Sequence, residues 1–92
     1  MNTDIAFRET LLKQMKDYLD GKSTKEEYYT LAESFYSQYA ETYNNPTFHK
    51  YFLSNIPDAC LFYIDEPGLA EEEREAQFYK VLSDAYLNLQ KL

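Results

Sequence analysis

Residues 19–28 have the sequence LDGKSTKEEY, which contains the signals for the end of one helix and the start of another. Gly21 supplies the left-handed backbone conformation that commonly closes a helix. The segment from Ser23 to Glu26 then matches a capping box, in which the Ser23 hydroxyl accepts from the Glu26 amide and the Glu26 carboxylate accepts from the Ser23 amide. The stretch therefore predicts a second helix that starts at Ser23 and turns back against the first.

Apolar residues recur at helical spacing on both sides of this turn. The first helix is predicted over about residues 4–19, and the second over about residues 23–43, where Asn44, Asn45 and Pro46 end it. The predicted inward residues are Ile5, Leu11, Leu12, Met15, Tyr18 and Leu19 in the first helix, and Tyr28, Leu31, Ala32, Phe35 and Tyr39 in the second.

A third helix is predicted after this break, with Thr47 as its cap. It is apolar nearly all round, which is typical of a deeply buried helix. Pro57 removes one backbone hydrogen bond at a cost of roughly 3 kcal/mol, so the helix is expected to be kinked or broken there. Residues 59–64 could alternatively form a strand, although no second candidate strand exists to pair with it. The inward residues are Phe48, Phe52, Ile56, Ala59 and Tyr63.

A fourth helix is predicted from about Leu69, after a turn at residues 65–68. Its inward residues are Phe78, Val81, Leu82, Ala85 and Leu89. Short connections between helices favour antiparallel neighbours. The predicted fold is therefore all-α, an antiparallel four-helix bundle in a single domain of residues 1–92, with the third helix kinked or broken near Pro57.

The composition limits the classes of partner. The chain has a net charge of −7, which argues against direct binding of nucleic acid and favours a basic protein partner. No run approaches the roughly 20 apolar residues of a membrane span, so no membrane contact is expected. The N-terminus lacks the basic and apolar segments of a signal peptide, and Cys60 has no second cysteine to pair with. The expected location is the cytoplasm.

The residues that usually carry catalysis are scarce. His49 and Cys60 are the only His and Cys, and their separation of eleven positions corresponds to three helical turns, too far for a nucleophile–base pair. They are expected to be a surface histidine and a core cysteine. The set is too small for a zinc site, and the Glu-x-x-His motif of bundle metal sites is missing. The chain is predicted not to be an enzyme and to have no catalytic, cofactor or metal residue.

Negative charge is concentrated in residues 58–75, where seven acids and one base give a net charge of −6. The helix dipole favours one or two acids at a helix start, whereas acids three or four residues apart repel. The run is interpreted either as a solvated helix start or as a surface complementary to a basic partner. The predicted partner-binding residues are Asp65, Glu66, Glu71, Glu72, Glu73 and Glu75, with Tyr63 and Tyr79 as aromatic anchors. Exposed Tyr29, Tyr36 and Tyr43 are the alternative surface.

The order of these features resembles the immunity proteins of the colicin D type, including those of contact-dependent growth inhibition systems. The resemblance rests on the turn and capped helix of residues 19–28, the aromatic-rich residues 35–43 and the sequence EEERE at residues 71–75. It implies a protein that binds the nuclease domain of a toxin attacking transfer RNA and blocks its basic active-site cleft. The alternative function is a small acidic interaction module, an adaptor or phage-encoded inhibitor without catalytic activity.

Overall fold

The computed structural model describes residues 3–65 and 67–92, with the backbone alone for Thr3, Asp4, Ile5 and Asp65. These residues form four helices: α1 (Thr3–Leu19), α2 (Lys25–Tyr39), α3 (Pro46–Asp65) and α4 (Glu71–Gln90). A short 3-10 helix, Ala40–Thr42, follows α2, so the second α-helix is shorter than predicted. The described residues contain no strand. The all-α class is confirmed, and the strand alternative for residues 59–64 is wrong.

Gly21 ends α1 as the sequence predicts. Its φ of +80° lies in the left-handed region that glycine adopts without strain. The Gly21 amide donates to the Tyr18 carbonyl at 3.0 Å, and the Lys22 amide donates to the Asp17 carbonyl at 2.8 Å. These two bonds form a Schellman motif, which satisfies carbonyls at the helix end and redirects the chain.

The cap of α2 lies one residue later than predicted. Thr24 Oγ1 accepts from the Glu27 amide at 3.1 Å, and Glu27 Oε1 accepts from the Thr24 amide at 2.9 Å. The prediction of Ser23 with Glu26 is therefore wrong. Both pairs fit the same four-residue pattern, and the observed register is the one that turns Lys25 inward, against α4.

The start of α3 also differs from the prediction. Asn45, and not Thr47, is the cap, because Asn45 Oδ1 accepts from the Phe48 amide at 3.1 Å. Pro46 occupies the first helical position, where its missing N–H leaves no bond unmade. The helix continues through Pro57 from Pro46 to Asp65, so the predicted break is not found and the kink stays a prediction.

The core is formed by one face of each helix. Its buried members are Phe7, Leu11, Met15, Tyr18, Tyr28, Ala32, Phe48, Phe52, Ile56, Cys60, Phe78, Leu82, Ala85 and Leu89. Two residues predicted to point inward, Leu31 and Tyr39, are about half exposed. The buried face of α2 is centred on Ala32, which turns Leu31 outward, while Tyr39 at the helix end packs on Phe35 with ring centroids 4.9 Å apart.

The end of α4 is held by residues from elsewhere in the chain. The Arg8 guanidinium of α1 donates to the carbonyls of Leu89 and Gln90 at 2.9 and 2.6 Å. A cation is favourable there because the unpaired carbonyls of a helix C-terminus are partially negative. Asn45 Nδ2 donates to the Leu92 carbonyl at 3.0 Å.

No helix of the described residues is long and apolar enough to cross a bilayer.

Candidate functional site

Lys25, the first residue of α2, is only 1% exposed although it is charged. Its ammonium lies 2.6 Å from Glu71 Oε1, 2.8 Å from Glu75 Oε1 and 3.4 Å from Glu26 Oε1. Burial lowers the pKa of Lys25, but hydrogen bonds to Glu71 and Glu75 outweigh this effect and raise the pKa above its ordinary value. Lys25 is therefore charged at neutral pH and joins the starts of α2 and α4.

Two further side chains extend this contact to the remaining helices. The Tyr18 hydroxyl of α1 donates to Glu75 Oε2 at 3.2 Å. Arg74 pairs with Glu71 Oε2 at 3.1 Å and donates to the carbonyl of Ile64, near the end of α3, at 3.0 Å. All four helices thus meet in one hydrogen-bonded network, and the bond from Lys25 lowers the pKa of Glu71.

The same region forms an anionic surface. Residues 25–27 and 71–75 together carry six carboxylates and two cations, a net charge of −4, and we call this surface the acidic end. The side chains of Glu26, Glu71 and Glu75 remain 56, 60 and 46% exposed, so each keeps a side that faces solvent. Glu72 and Glu73 are exposed and have no ion-pair partner within residues 3–65 and 67–92.

Four of the acids predicted to bind a partner are therefore gathered at the start of α4, but they are not equivalent. Glu71 and Glu75 hold Lys25 in place, whereas Glu72 and Glu73 have no such contact. Sequence reasoning missed Lys25 because its partners lie 46 and 50 residues further along the chain. The available signal was a lysine one turn before Tyr28, on the apolar face of α2.

The two predicted aromatic anchors differ in exposure. Tyr79 is about half exposed, and its ring centroid lies 6.3 Å from that of Tyr18, beside the acidic end. Tyr63 is partly buried and packs against the core, which leaves less of its ring for a partner. Glu66 and the side chain of Asp65 lie outside the described residues.

The alternative tyrosine surface is not exposed as predicted. Tyr29, Tyr36 and Tyr43 are all partly buried and pack against the core. The ring of Tyr36 stacks on Phe52, with centroids 4.7 Å apart and an angle of 8° between the planes. These tyrosines contribute mainly to packing, as aromatic side chains with one polar atom often do at a core boundary.

His49 is partly buried and both of its ring nitrogens form hydrogen bonds within the protein, so its prediction as a surface residue is wrong. Its Nε2 lies 2.6 Å from the carbonyl oxygen of Tyr43, and its Nδ1 lies 2.6 Å from the Tyr36 hydroxyl. A carbonyl only accepts, so Nε2 carries the proton of the neutral ring and the Tyr36 hydroxyl donates to Nδ1. Cys60 is fully buried, as predicted, and burial raises the pKa of its thiol to about 12, which suppresses its reactivity.

An apolar groove lies between α2 and α3. Its lining is Tyr29, Ala32, Glu33, Tyr36, Ser37, Phe52, Leu53, Ile56 and Pro57, and we call it the α2/α3 groove. Its volume of about 180 Å³ is below the roughly 300–1,000 Å³ of typical small-molecule pockets. Leu53 and Leu61, two turns apart on α3, are both half exposed, so apolar surface continues beyond the groove toward the acidic end.

Within the part of the chain that the structure describes, no three His, Cys, Asp or Glu residues are grouped so as to hold a metal ion. Comparison of the chain with protein-family models, curated proteins and solved structures gave no match.

Proposed function

We propose that this chain is a non-catalytic immunity protein that binds the nuclease domain of a bacterial toxin and covers its basic active-site cleft. The observation that carries the proposal is the acidic end, where carboxylates from the starts of α2 and α4 converge on one surface. The resemblance of residues 19–28, 35–43 and 71–75 to immunity proteins of the colicin D type supports it.

The charge of the acidic end suits a nuclease that cuts transfer RNA. Such an enzyme must present Lys and Arg side chains to a polyanion, so its cleft attracts carboxylates placed where substrate phosphates would lie. Complementary charge accelerates encounter and disfavours partners that are not basic. Blocking the cleft requires no chemistry by the bound protein.

The network around Lys25 gives the acidic end a second useful property. Glu71 and Glu75 are already held by the Lys25 ammonium, so less side-chain freedom is lost when a partner binds beside them. Within the described residues, Glu72 and Glu73 have no ion pair that a partner would have to break. Tyr79 lies one turn after Glu75 on α4 with about half of its surface exposed, and aromatic anchors of this kind are enriched in interface hot spots.

We infer that the four helices alternate in direction, as in an antiparallel bundle. Tyr18, near the end of α1, bonds to Glu75 near the start of α4, while Arg8, near the start of α1, bonds to Gln90 at the end of α4. A kink of α3 at Pro57 is part of the same inference about the bundle, because the proline ring crowds the preceding turn.

The proposal also places the protein in the cytoplasm, where a nuclease toxin meets transfer RNA.

A general interaction module, such as an adaptor or a phage-encoded inhibitor, is the second candidate. The α2/α3 groove favours it, because an apolar groove suits recognition of a folded segment more than occlusion of a charged cleft. In this case the acidic end would select basic partners without entering an active site.

A protection assay tests the proposal. Immunity genes lie immediately downstream of their toxin genes, so the nuclease domain encoded by the adjacent upstream gene is co-expressed with this chain in a bacterial host. We expect growth to be restored and transfer RNA to stay intact. The variant Glu72→Lys/Glu73→Lys should protect poorly, while Glu9→Lys/Glu41→Lys, with the same change in net charge at the opposite end, should protect well. Absence of protection by the unaltered chain would refute the proposal.

A further inference from the structure

We propose that the α2/α3 groove binds an amphipathic, positively charged helix of a partner protein. This inference rests on the proposed function in one respect only, that the chain works by binding another protein. It assigns a second contact surface, separate from the acidic end, and does not require the partner to be a nuclease.

The shape of the groove fits the side chains of a helix. On α2, the small Ala32 lies between Tyr29 and Tyr36, which leaves a depression bordered by two rings. Phe52 and Ile56, one turn apart, form the facing wall on α3. A volume of about 180 Å³ accommodates one or two apolar side chains, as when a helix inserts anchors spaced three or four residues apart.

The exposed residues of α3 lengthen this surface in the direction of a docked helix. Leu53 lines the groove and is 53% exposed, and Leu61 continues the same side of α3 two turns later. Pro57 lies between them and also lines the groove. Leu53 and Leu61 are about 12 Å apart along α3, so a docked helix could contact apolar side chains over about two of its own turns, since each turn advances about 5.4 Å.

The charge in the groove lining selects a basic occupant. Among the described residues that line the groove, Glu33 is the one that is charged. The cation Lys50 lines a depression on the other flank of α3, with Tyr51 and Asn55, and does not face the groove. A helix with apolar anchors on one side and Lys or Arg at its edges would complement both features.

The same charge disfavours the other occupants. A second copy of this chain, with a net charge of −7, would bring its own Glu33 against the first. Like charges placed opposite each other across an interface are costly. An anionic membrane surface would be repelled for the same reason, and the groove is smaller than a typical small-molecule site.

The test uses a labelled synthetic peptide of about 16 residues, with Leu at positions i, i+3, i+4 and i+7 of each two turns and Lys elsewhere. Fluorescence anisotropy should give a dissociation constant below about 1 mM, and amide chemical shifts should change at Ala32 and Ile56. Leu53→Ser should weaken binding about fivefold or more, because Leu53 lines the groove. The matched control is Leu87→Ser on α4, which is also 53% exposed and should bind as the unaltered chain does.

Three further measurements can overturn the inference. Equal binding of a scrambled Lys/Leu peptide without an apolar face would exclude helix recognition, and equal binding of a peptide with Glu in place of Lys would exclude charge selection. No binding of the Lys/Leu peptide would reject the inference. Dimerisation of the chain that Leu53→Ser abolishes would also reject it, because the groove would then bind a second copy of the chain. If the peptide binds through Leu53 while the protection assay fails, the immunity function is wrong and the groove assignment stands; the reverse result rejects the groove alone.

Discussion

The Lys25 ammonium lies 2.6 Å from a Glu71 carboxylate oxygen, although the two residues are 46 positions apart in the chain. The contact joins the first residues of α2 and α4, and Glu75 completes it from the next turn of α4 at 2.8 Å. The acidic run that the sequence presents as a binding surface is therefore also an internal ion-pair network. The structure divides its glutamates into those that hold Lys25 and those that face solvent only.

Replacing Lys25 should destabilise the fold. Lys25→Met removes the cation and leaves Glu26, Glu71 and Glu75 close together without it. We expect a loss of about 1–2 kcal/mol in the free energy of unfolding, less than for a fully buried pair because these carboxylates are half exposed. Urea denaturation measures it. Lys13→Met, which removes an exposed pair with Asp17, should change stability by less than about 0.5 kcal/mol, and an equal loss in both variants would contradict the account.

Stability should depend on pH through Glu71. The hydrogen bond from Lys25 lowers the pKa of Glu71 below its ordinary value of 4.5. A carboxylate with a lowered pKa in the folded state stabilises the fold fully above its unfolded pKa, and this stabilisation is lost as the pH falls through the folded pKa. Melting temperatures should therefore drop below about pH 4.5, and the drop should be smaller in Lys25→Met. Parallel curves for the two proteins would show that this pair is not the cause.

The position of the α2 cap can be tested by two neighbouring substitutions. Thr24→Ala removes the oxygen that accepts from the Glu27 amide and should cost about 1 kcal/mol of stability. Ser23→Ala should cost less than about 0.5 kcal/mol, because Ser23 lies outside the observed cap. Thermal melts of both variants decide between the two registers, and the reverse ranking would support the cap at Ser23.

The hydroxyl of Tyr36 should stabilise the fold through His49. Tyr36→Phe keeps the ring on Phe52 but leaves His49 Nδ1 without its donor, at an expected cost of about 0.5–1.5 kcal/mol. Tyr39→Phe is the control, because Tyr39 is half exposed, and it should be nearly neutral. Nitrogen chemical shifts of His49 in the unaltered protein should report a proton on Nε2. A proton on Nδ1 in the neutral ring would contradict the assigned bonds.

The sequence predicts the elements of this fold where the signal is local. Gly21 ends α1 because a positive φ is needed at that position, and the apolar spacing of α4 identifies Phe78, Leu82, Ala85 and Leu89 as buried. The cap of α2 is off by one because two overlapping segments, beginning at Ser23 and Thr24, satisfy the same pattern. Such an ambiguity is resolved only by tertiary packing.

The candidate site could be predicted only in part for a related reason. The acids of residues 71–75 are visible as a cluster in the sequence, but their partner Lys25 comes from another helix. A buried lysine is rare unless it is paired, so Lys25 on the apolar face of α2 was the one sign that an acidic partner was needed. Helical spacing predicts that Leu31 points inward, but the buried face of α2 is turned away from it.

We propose that the acidic end directs association with a basic partner. The most direct test is the association rate, measured by stopped flow, between three forms of the chain and the nuclease domain that the proposed function expects the adjacent upstream gene to encode. The three forms are the unaltered chain, Glu72→Lys/Glu73→Lys and Glu9→Lys/Glu41→Lys. The two variants change the net charge equally. At about 50 mM salt, reversal at the acidic end should slow association about tenfold or more, and reversal at the opposite end should slow it much less. Salt near 0.5 M should remove most of the difference. Equal slowing by both variants, or no slowing by either, would contradict the claim.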